Sequence, residues 1–203
     1  MITVSEDLNP IIRKNAIPKG LILGVVVAIL NIVSYYYIVS IATSYWAIIL
    51  VPMLFNIILP LVVLLFLVAD LRKTIGGFWN LRQAITGIFL MLLLAMAVNY
   101  VTVNVVFAKV IEPNMVDNTR NAMVTAVTPI LEKSGASQTD IDKKMDEMQK
   151  QFDSRKNAGI GPQIKSIVIS IIMLFVLALV LGAIYKRERP RYATEGNDPE
   201  LSI

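Results

Sequence analysis

Three asparagines interrupt long apolar stretches and are the first residues in which chemistry could reside. Asn31 and Asn56 fall near the middle of their stretches, and Asn99 lies somewhat further out. If these stretches cross a membrane, an unsatisfied amide there is costly. Asn31 and Asn56 belong to neighbouring antiparallel stretches, so a hydrogen bond between them is predicted, worth about 0.6 kcal/mol and rarely above about 2 kcal/mol. The alternative is a binding site for a small polar solute or a lipid headgroup.

Catalytic chemistry has few residues to work with. The chain contains no histidine and no cysteine, which removes disulfides, thiolate nucleophiles, histidine bases and the usual ligands of zinc, copper and haem. Serine, lysine and carboxylates occur in the polar segment, but no spacing pairs a nucleophile with a base. Residues 140–146 resemble a calcium loop but lack its central glycine. No catalytic residue, cofactor or metal site is predicted, and an interfacial enzyme that acts on lipid-linked substrate through Asp70 is the alternative to a non-enzyme.

Four apolar stretches must position these residues, and 56% of the chain is hydrophobic while only 17% is charged. Each stretch is long enough, at about 1.5 Å per residue, to cross a hydrocarbon core of roughly 30 Å as a helix. None carries a charged residue near its centre, which argues against a proton- or ion-coupled transporter. The predicted fold is an all-α polytopic membrane protein, with Pro18 in the first turn of its first helix. Residues 20–111 hold the first three transmembrane helices, and residues 163–185 hold the fourth.

Basic residues near the ends of these stretches predict the orientation. They all fall on one side of the membrane: Arg13, Lys14, Lys19, Arg72, Lys73, Arg82, Lys186, Arg187, Arg189 and Arg191. Cytoplasmic loops carry an excess of Lys and Arg, so residues 1–19 and the basic tail 186–203 are predicted to be cytoplasmic. Residues 112–162 then lie on the extracytoplasmic side. The net charge of +4 is explained by this asymmetry, and no nucleic-acid partner is predicted.

The polar segment 112–162 is predicted to form a helical hairpin between the third and fourth transmembrane helices. Its first helix is closed by Gly135, and its second begins at Thr139. Each helix has an apolar stripe with intervals of three and four residues. The stripes include Met115, Met123, Met145, Met148 and Phe152. Methionine adapts to varied apolar surfaces, so these residues either form an interaction surface for a partner or pack against each other.

Small residues recur four apart in the first apolar stretch, at Gly20, Gly24 and Ala28. This spacing lets a second helix approach closely, because packing rather than hydrophobicity drives helix association in lipid. The neighbour is either another helix of this chain or a second copy, which would form a homo-oligomer.

The connection before the third helix has a clear local pattern. Gly76 and Gly77 permit a tight turn with positive φ, and Asn80 with Gln83 matches a capping box. Aromatic residues with a polar group favour the headgroup level. This preference places Trp79 at the inner interface, and it places Tyr35 and its neighbouring tyrosines towards the outer one.

Two motifs carry a family resemblance. The sequence RKTIGGFWNLRQA at residues 72–84 opens the third helix, which ends in VIEPNM at residues 110–115. Followed by a helical insert and a last apolar stretch, these motifs resemble the bacterial membrane proteins grouped as domain of unknown function 4199. The likeness covers residues 12–185. It implies a four-helix protein of the bacterial inner membrane, and it implies no activity.

The sequence therefore predicts an integral membrane protein of unknown activity with two competing roles. The first is a non-enzymatic accessory or scaffold subunit, which binds a protein partner or a second copy through the bundle and the hairpin. The alternative is a small carrier or lipid-handling protein; in both roles the lipid bilayer surrounds the bundle. The alternative requires a cavity near mid-depth that opens to one side. A tightly filled bundle with Asn31 bonded to Asn56 would argue against it.

Overall fold

Helices form every element that the structure describes. The computed structural model describes residues 8–41, 44–135, 137–156 and 159–187. Its α-helices are α1 (Leu8–Ser40), α2 (Tyr45–Met53), α3 (Leu59–Thr74), α4 (Leu81–Asn99), α5 (Met115–Lys133), α6 (Gln138–Lys156) and α7 (Ile160–Tyr185). Two π-helical segments, Leu54–Ile58 and Tyr100–Ile111, continue α2 and α4. The first seven residues, residues 42 and 43, and the basic tail beyond residue 187 lie outside the described residues.

Four of the described helices are long and apolar enough to cross a membrane. Span 1 is Asn9–Ser40, span 2 is Trp46–Thr74, span 3 is Leu81–Ile111 and span 4 is Gly161–Tyr185. The predicted all-α fold with four membrane-spanning helices is thereby confirmed. We call the end of the bundle that holds residues 9 and 185 the terminal end. The opposite end, from which α5 and α6 extend between spans 3 and 4, is the hairpin end.

The first helix begins earlier than the sequence predicts. Pro18 is not in its first turn, because α1 starts at Leu8 and Pro18 lies inside it. Packing explains the difference, since Ile12 and Ala16 are fully buried, at 0% exposure, in the core of the bundle. Burial of a side chain such as Ile12 stabilises by about 1.5–3 kcal/mol, which offsets much of the roughly 3 kcal/mol that an internal proline costs.

α1 and α4 form the centre of the bundle. α4 is the most extensive packing partner of α1, and α3 packs on another side of α1. α7 packs mainly against α4, and the Tyr185 hydroxyl at its end donates to the Leu65 carbonyl of α3 at 3.3 Å. One apolar cluster of buried residues joins these four helices and includes Val68, Leu23, Ile88 and Ala178.

The small residues of α1 lie against α4 of the same chain. A Cβ atom at Gly24 would lie 2.6 Å from the Cβ atom of Val98 and 3.0 Å from the backbone of Ala95. A Cβ atom at Gly20 would lie 2.8 Å from a backbone oxygen of α4, and Ala28 is 1% exposed. The two backbones approach this closely because glycine has no side chain, which is how helices in lipid gain van der Waals contact.

Replacing Gly24 with alanine should destabilise the protein, because the added methyl group overlaps Val98 and pushes α1 away from α4. We expect the free energy of unfolding to fall by about 1–3 kcal/mol, the usual cost of an overpacked core. Thermal unfolding of the purified protein in detergent, followed by circular dichroism, measures the loss. Val25→Ala is the matched control, since Val25 is 50% exposed. An unchanged unfolding temperature for Gly24→Ala would contradict the close packing.

The connection from α3 to α4 forms as the local pattern predicts. Gly76 and Gly77 have φ angles of 97° and 82°, and their N–H groups donate to carbonyl oxygens in the last turn of α3. This Schellman arrangement satisfies carbonyl groups that a helix end otherwise leaves unpaired. Asn80 and Gln83 form the predicted capping box at the start of α4.

Trp79 joins this connection to the end of α7. Its side chain is only 2% exposed, so it packs inside the protein, and its predicted depth at the inner interface stays a prediction. The indole N–H donates to the carbonyl oxygen of Tyr185 at 2.7 Å, which satisfies an acceptor at the end of α7. The backbones of Trp79 and Arg187 exchange two hydrogen bonds, at 2.9 and 3.1 Å. These contacts fix α7 at the terminal end.

At the hairpin end, α5 packs on spans 1 and 2. Ala126 of α5 forms a second apolar cluster with Ile38 and Ile48. Tyr35 is buried nearby, at 5% exposure, and its predicted depth towards the outer interface stays a prediction. The protein itself covers Tyr35, because Asn118 of α5 lies over it and its Nδ2 donates to the tyrosine hydroxyl at 3.3 Å.

The predicted interaction surface of the hairpin is half-buried within the chain. It comprises Met115, Met123, Met145, Met148 and Phe152. Met123 packs against the cluster around Ala126, and the hydroxyl of Thr128 lies 4.0 Å from the sulfur of Met145. α5 and α6 pack against each other, so the two stripes are largely used inside the hairpin. Contact between these residues and a protein partner stays a prediction.

Candidate functional site

A cleft of about 1030 Å³ opens between spans 3 and 4 at the hairpin end. α7 packs against α4 but separates from the π-helical segment Tyr100–Ile111 that continues α4, and the cleft fills the gap. Ser154 of α6 lies at its edge. Most of the remaining polar lining belongs to two facing walls: Asn99, Tyr100, Asn104 and Lys109 on span 3, and Gln163, Ser166 and Ser170 on α7.

The wall from span 3 depends on its π-helical geometry. Asn99, Asn104 and Lys109 are spaced five residues apart. In an α-helix such residues would point about 140° apart. In a π-helix each turn closes with a hydrogen bond to the fifth residue, as between the Glu112 N–H and the Phe107 carbonyl at 2.8 Å. The wider turn therefore brings three polar side chains to the same wall of the cleft.

The facing wall keeps α-helical spacing. Gln163, Ser166 and Ser170 follow one another at intervals of three and four, which places them on one face of α7. The Ser170 hydroxyl donates to the Ser166 carbonyl at 2.9 Å, a bond that serine often makes inside a helix. Ser170 follows the start of span 4 by nine residues, or about 14 Å, which approaches half of a hydrocarbon core. The cleft therefore reaches from the hairpin end towards mid-depth.

Asn31 does not line the cleft, but it hydrogen-bonds to a wall residue at the deep end of the cleft. Its Nδ2 donates to Asn99 Oδ1 at 3.3 Å and to the Val27 carbonyl at 2.8 Å. Both asparagines are half-buried. The bond crosses the closest helix pair of the bundle, α1 and α4, and it orients the Asn99 amide at the cleft wall.

The predicted hydrogen bond between Asn31 and Asn56 is wrong. The Asn56 amide instead donates to the Ser34 hydroxyl at 3.3 Å. Ser34 follows Asn31 by about one helical turn, and Asn56 lies in the π-helical segment Leu54–Ile58. The register of span 2 therefore places Asn56 one turn further along α1, whereas Asn31 meets span 3. Asn56 does not line the cleft between spans 3 and 4.

The charge of the cleft is positive. Lys109 is the charged residue of its lining, and no carboxylate lies beside it among the described residues that form the walls. The N-terminus of α7 opens on the same space through Gly159 and Pro162, and a helix N-terminus carries partial positive charge. The amide and hydroxyl groups of both walls can donate and accept hydrogen bonds. The cleft is therefore suited to a polar or anionic group rather than to a cation.

Other ionisable groups lie outside this lining. Asp70, the carboxylate considered for interfacial catalysis, is paired with Lys19 between spans 2 and 1 at the terminal end. On α6, a hydrogen bond to Asp146 raises the pKa of the exposed Lys150. Within the part of the chain that the structure describes, no group of His, Cys, Asp or Glu could hold a metal ion.

Comparison with protein families decides the relationship that the motifs suggest. The family described as protein of unknown function (DUF4199) matches residues 19–187. The chain belongs to the DUF4199 family. The predicted resemblance is confirmed, and the match includes both walls of the cleft as well as the Trp79 connection. No curated protein and no solved structure matches this DUF4199 chain.

Sequence reasoning found only part of the cleft in this DUF4199 protein. It selected Asn99 as an intramembrane polar residue, but it missed Lys109 and Gln163 as lining residues. The spacing of five from Asn99 through Asn104 to Lys109 is visible in the sequence, yet α-helical periodicity assigns the three residues to different faces. The opposite wall depends on how α7 packs against α4, which no local pattern records.

Single-cysteine variants test the five-residue register of the span 3 wall in this DUF4199 protein. The chain has no native cysteine that would also react. Cysteines at Asn104 and Lys109 should react severalfold faster with a charged thiol reagent than cysteines at Val101 and Val106. The reason is that thiolate forms where water enters the cleft and is suppressed where the side chain faces lipid. Val101 and Val106 are 54% and 44% exposed outside the cleft. Equal labelling at all four positions would contradict the five-residue register.

Proposed function

We propose that this DUF4199 protein is a non-enzymatic lipid-handling protein that binds an amphiphile in the cleft between spans 3 and 4. The observation that carries the proposal is the pair of facing polar walls that reach from the hairpin end towards mid-depth. The cleft has a volume of about 1030 Å³, just above the range for small-molecule sites, about 300–1,000 Å³. Polar residues at this depth are rare in a bundle unless they bind something or each other.

The arrangement suits a molecule with a polar head and an apolar tail. The head meets Asn104, Ser166 and the other polar groups of the walls. The tail lies along apolar side chains of the lining, such as Val105 on span 3 and Ile167 on α7. Entry from the side is favoured because most residues in the first half of α7 are exposed beside the cleft. A small polar solute without a tail would gain only the first set of contacts.

An accessory or scaffold role is the second candidate. The observation that favours it is the separation of α7 from the π-helical half of span 3, since the gap offers a seat for a helix of a protein partner or of a second copy. The polar walls favour the amphiphile, because an apolar partner helix would leave their amides and hydroxyls without hydrogen bonds. The methionines of the hairpin are half-buried within the chain, which leaves less apolar surface for docking.

We also propose that the protein lies in a bacterial inner membrane with both termini in the cytoplasm and the α5–α6 hairpin outside. The support is the set of basic residues at the terminal end, among them Arg13, Lys14, Arg72 and Lys73. The hairpin also contains lysines, but acidic residues alternate with them, and long loops cross membranes largely regardless of charge. In this orientation the cleft opens towards the outer leaflet.

Cysteine labelling tests the orientation with two exposed lysine positions. In spheroplasts, an impermeant maleimide should label Lys143→Cys on α6 and should leave Lys73→Cys, in the last turn of α3, unlabelled until the membrane is broken. The two variants replace the same residue type at opposite ends of the bundle. The reverse pattern would place the hairpin in the cytoplasm and would contradict the proposed orientation.

Photoactivatable lipid tests the proposed function. The full chain is reconstituted in nanodiscs with a trace of lipid that carries the reactive group near its head, and crosslinked peptides are mapped by mass spectrometry. Crosslinks should concentrate on the two cleft walls. Ser166→Trp should reduce them severalfold, because the indole fills the cleft.

Val168→Trp is the matched control, because it adds the same ring to the same helix at a residue that does not line the cleft. Crosslinks spread evenly around the bundle, or unaffected by Ser166→Trp, would exclude amphiphile binding here. A cleft occupied by a helix of a second copy, detected as protein–protein crosslinks at Ser166, would favour the accessory role instead.

A further inference from the structure

We infer that the cleft between spans 3 and 4 takes an anionic, phosphate-bearing headgroup, with Lys109 as its counter-ion. This inference rests on the proposed function and adds to it the chemical class of the ligand. The charges and hydrogen-bond donors that line the cleft support it.

Lys109 gives the cleft a positive charge. It is the one charged side chain among the described lining residues, and no carboxylate shares the lining with it. The ion pairs found among the described residues join Lys19 to Asp70 and link residues within α6, so Lys109 has no described counter-ion. The positive charge of Lys109 attracts an anion that enters the cleft. The ligand therefore supplies the missing negative charge.

Hydrogen-bond donors surround the place that this anion would occupy. Asn104 lies five residues deeper on the same wall as Lys109, and Gln163 lies on the facing wall. A phosphate has several acceptor oxygens and can accept from an ammonium group and from amides at once. The N-terminus of α7 adds partial positive charge at Gly159. The helix N-terminus contributes less than Lys109, because its charge is only partial.

A choline headgroup fits the same lining less well. It carries a positive charge of its own, which Lys109 repels, and the described lining offers no carboxylate to offset that charge. Its quaternary nitrogen also has no hydrogen to donate to the serine and asparagine oxygens of the walls. A glycerol headgroup avoids both problems, because it is uncharged and its hydroxyls can donate and accept.

The experiment compares two lipids with identical acyl chains. The full chain is placed in phosphatidylcholine nanodiscs with a trace of photoactivatable phosphatidylglycerol or of photoactivatable phosphatidylcholine. Phosphatidylglycerol should crosslink to the cleft walls about fivefold more, the factor expected from one lysine near an anionic group. Lys109→Gln should bring the two yields close together. Lys165→Gln should leave the preference unchanged, because Lys165 is an exposed lysine of the same half of the bundle that does not line the cleft.

A parallel arm adds inorganic phosphate, which distinguishes a lipid headgroup from a soluble anion of the same chemistry. If the cleft holds the lipid, phosphate leaves the crosslinks to phosphatidylglycerol in place. If phosphate abolishes them and Lys109→Gln relieves the competition, the anion site is supported and its ligand is the soluble one.

Three outcomes would overturn the inference. Equal crosslinking of both lipids at the cleft walls would leave the proposed amphiphile site intact but would remove its preference for an anion. Crosslinks to neither lipid at the walls would remove the proposed function itself. A preference that persists in Lys109→Gln and disappears in Lys165→Gln would show that Lys165 is the counter-ion. That result would overturn the assignment to Lys109.

Discussion

The close approach of α1 and α4 is the constraint on which the rest of the bundle depends. Lipid gives two helices no hydrophobic reason to associate, so contact must come from packing, and Gly20 and Gly24 allow the backbones to touch. Once this pair is fixed, α3 fills one side of α1, and α7 is left with α4 as its main neighbour. The hydrogen bond between Asn31 and Asn99 lies on the same interface. The position of the cleft is thus a consequence of which two helices occupy the centre.

The π-helical half of span 3 is the second determinant. In hydrocarbon every backbone N–H and C=O group needs a partner, so a helix that departs from α geometry must still close its hydrogen bonds. The segment Tyr100–Ile111 does so with bonds to the fifth residue, and its wider turns rotate successive side chains less. Polar residues spaced by five then share a wall. This change in backbone geometry accounts for the lining on span 3.

Local signals in the sequence were sufficient for much of the fold, and long-range geometry was needed for the rest. The spans, the Gly76–Gly77 turn and the Asn80–Gln83 capping box could be predicted because composition or neighbouring residues determine them. The start of α1 could not, because the burial of Ile12 overrides the effect of Pro18. The partners of Asn31 and Asn56 depended on helix register, and the cleft depended on the π-helical geometry of span 3 and on the packing of α7. Asn99 was therefore predicted as a polar position but not as part of a wall.

The attachment of α7 has a mechanical consequence. Its C-terminal end is held by the Trp79 indole and by the backbone pairing with Arg187, whereas its N-terminal half borders open space. With 26 residues the helix is about 39 Å long, so a tilt of about 5° about the attached end displaces the other end by about 3 Å. The width of the opening between Asn104 and Ser166 is consequently sensitive to small rotations at the far side of the bilayer. Trp79 and Arg187 do not line that opening, yet their contacts with the end of α7 influence its width.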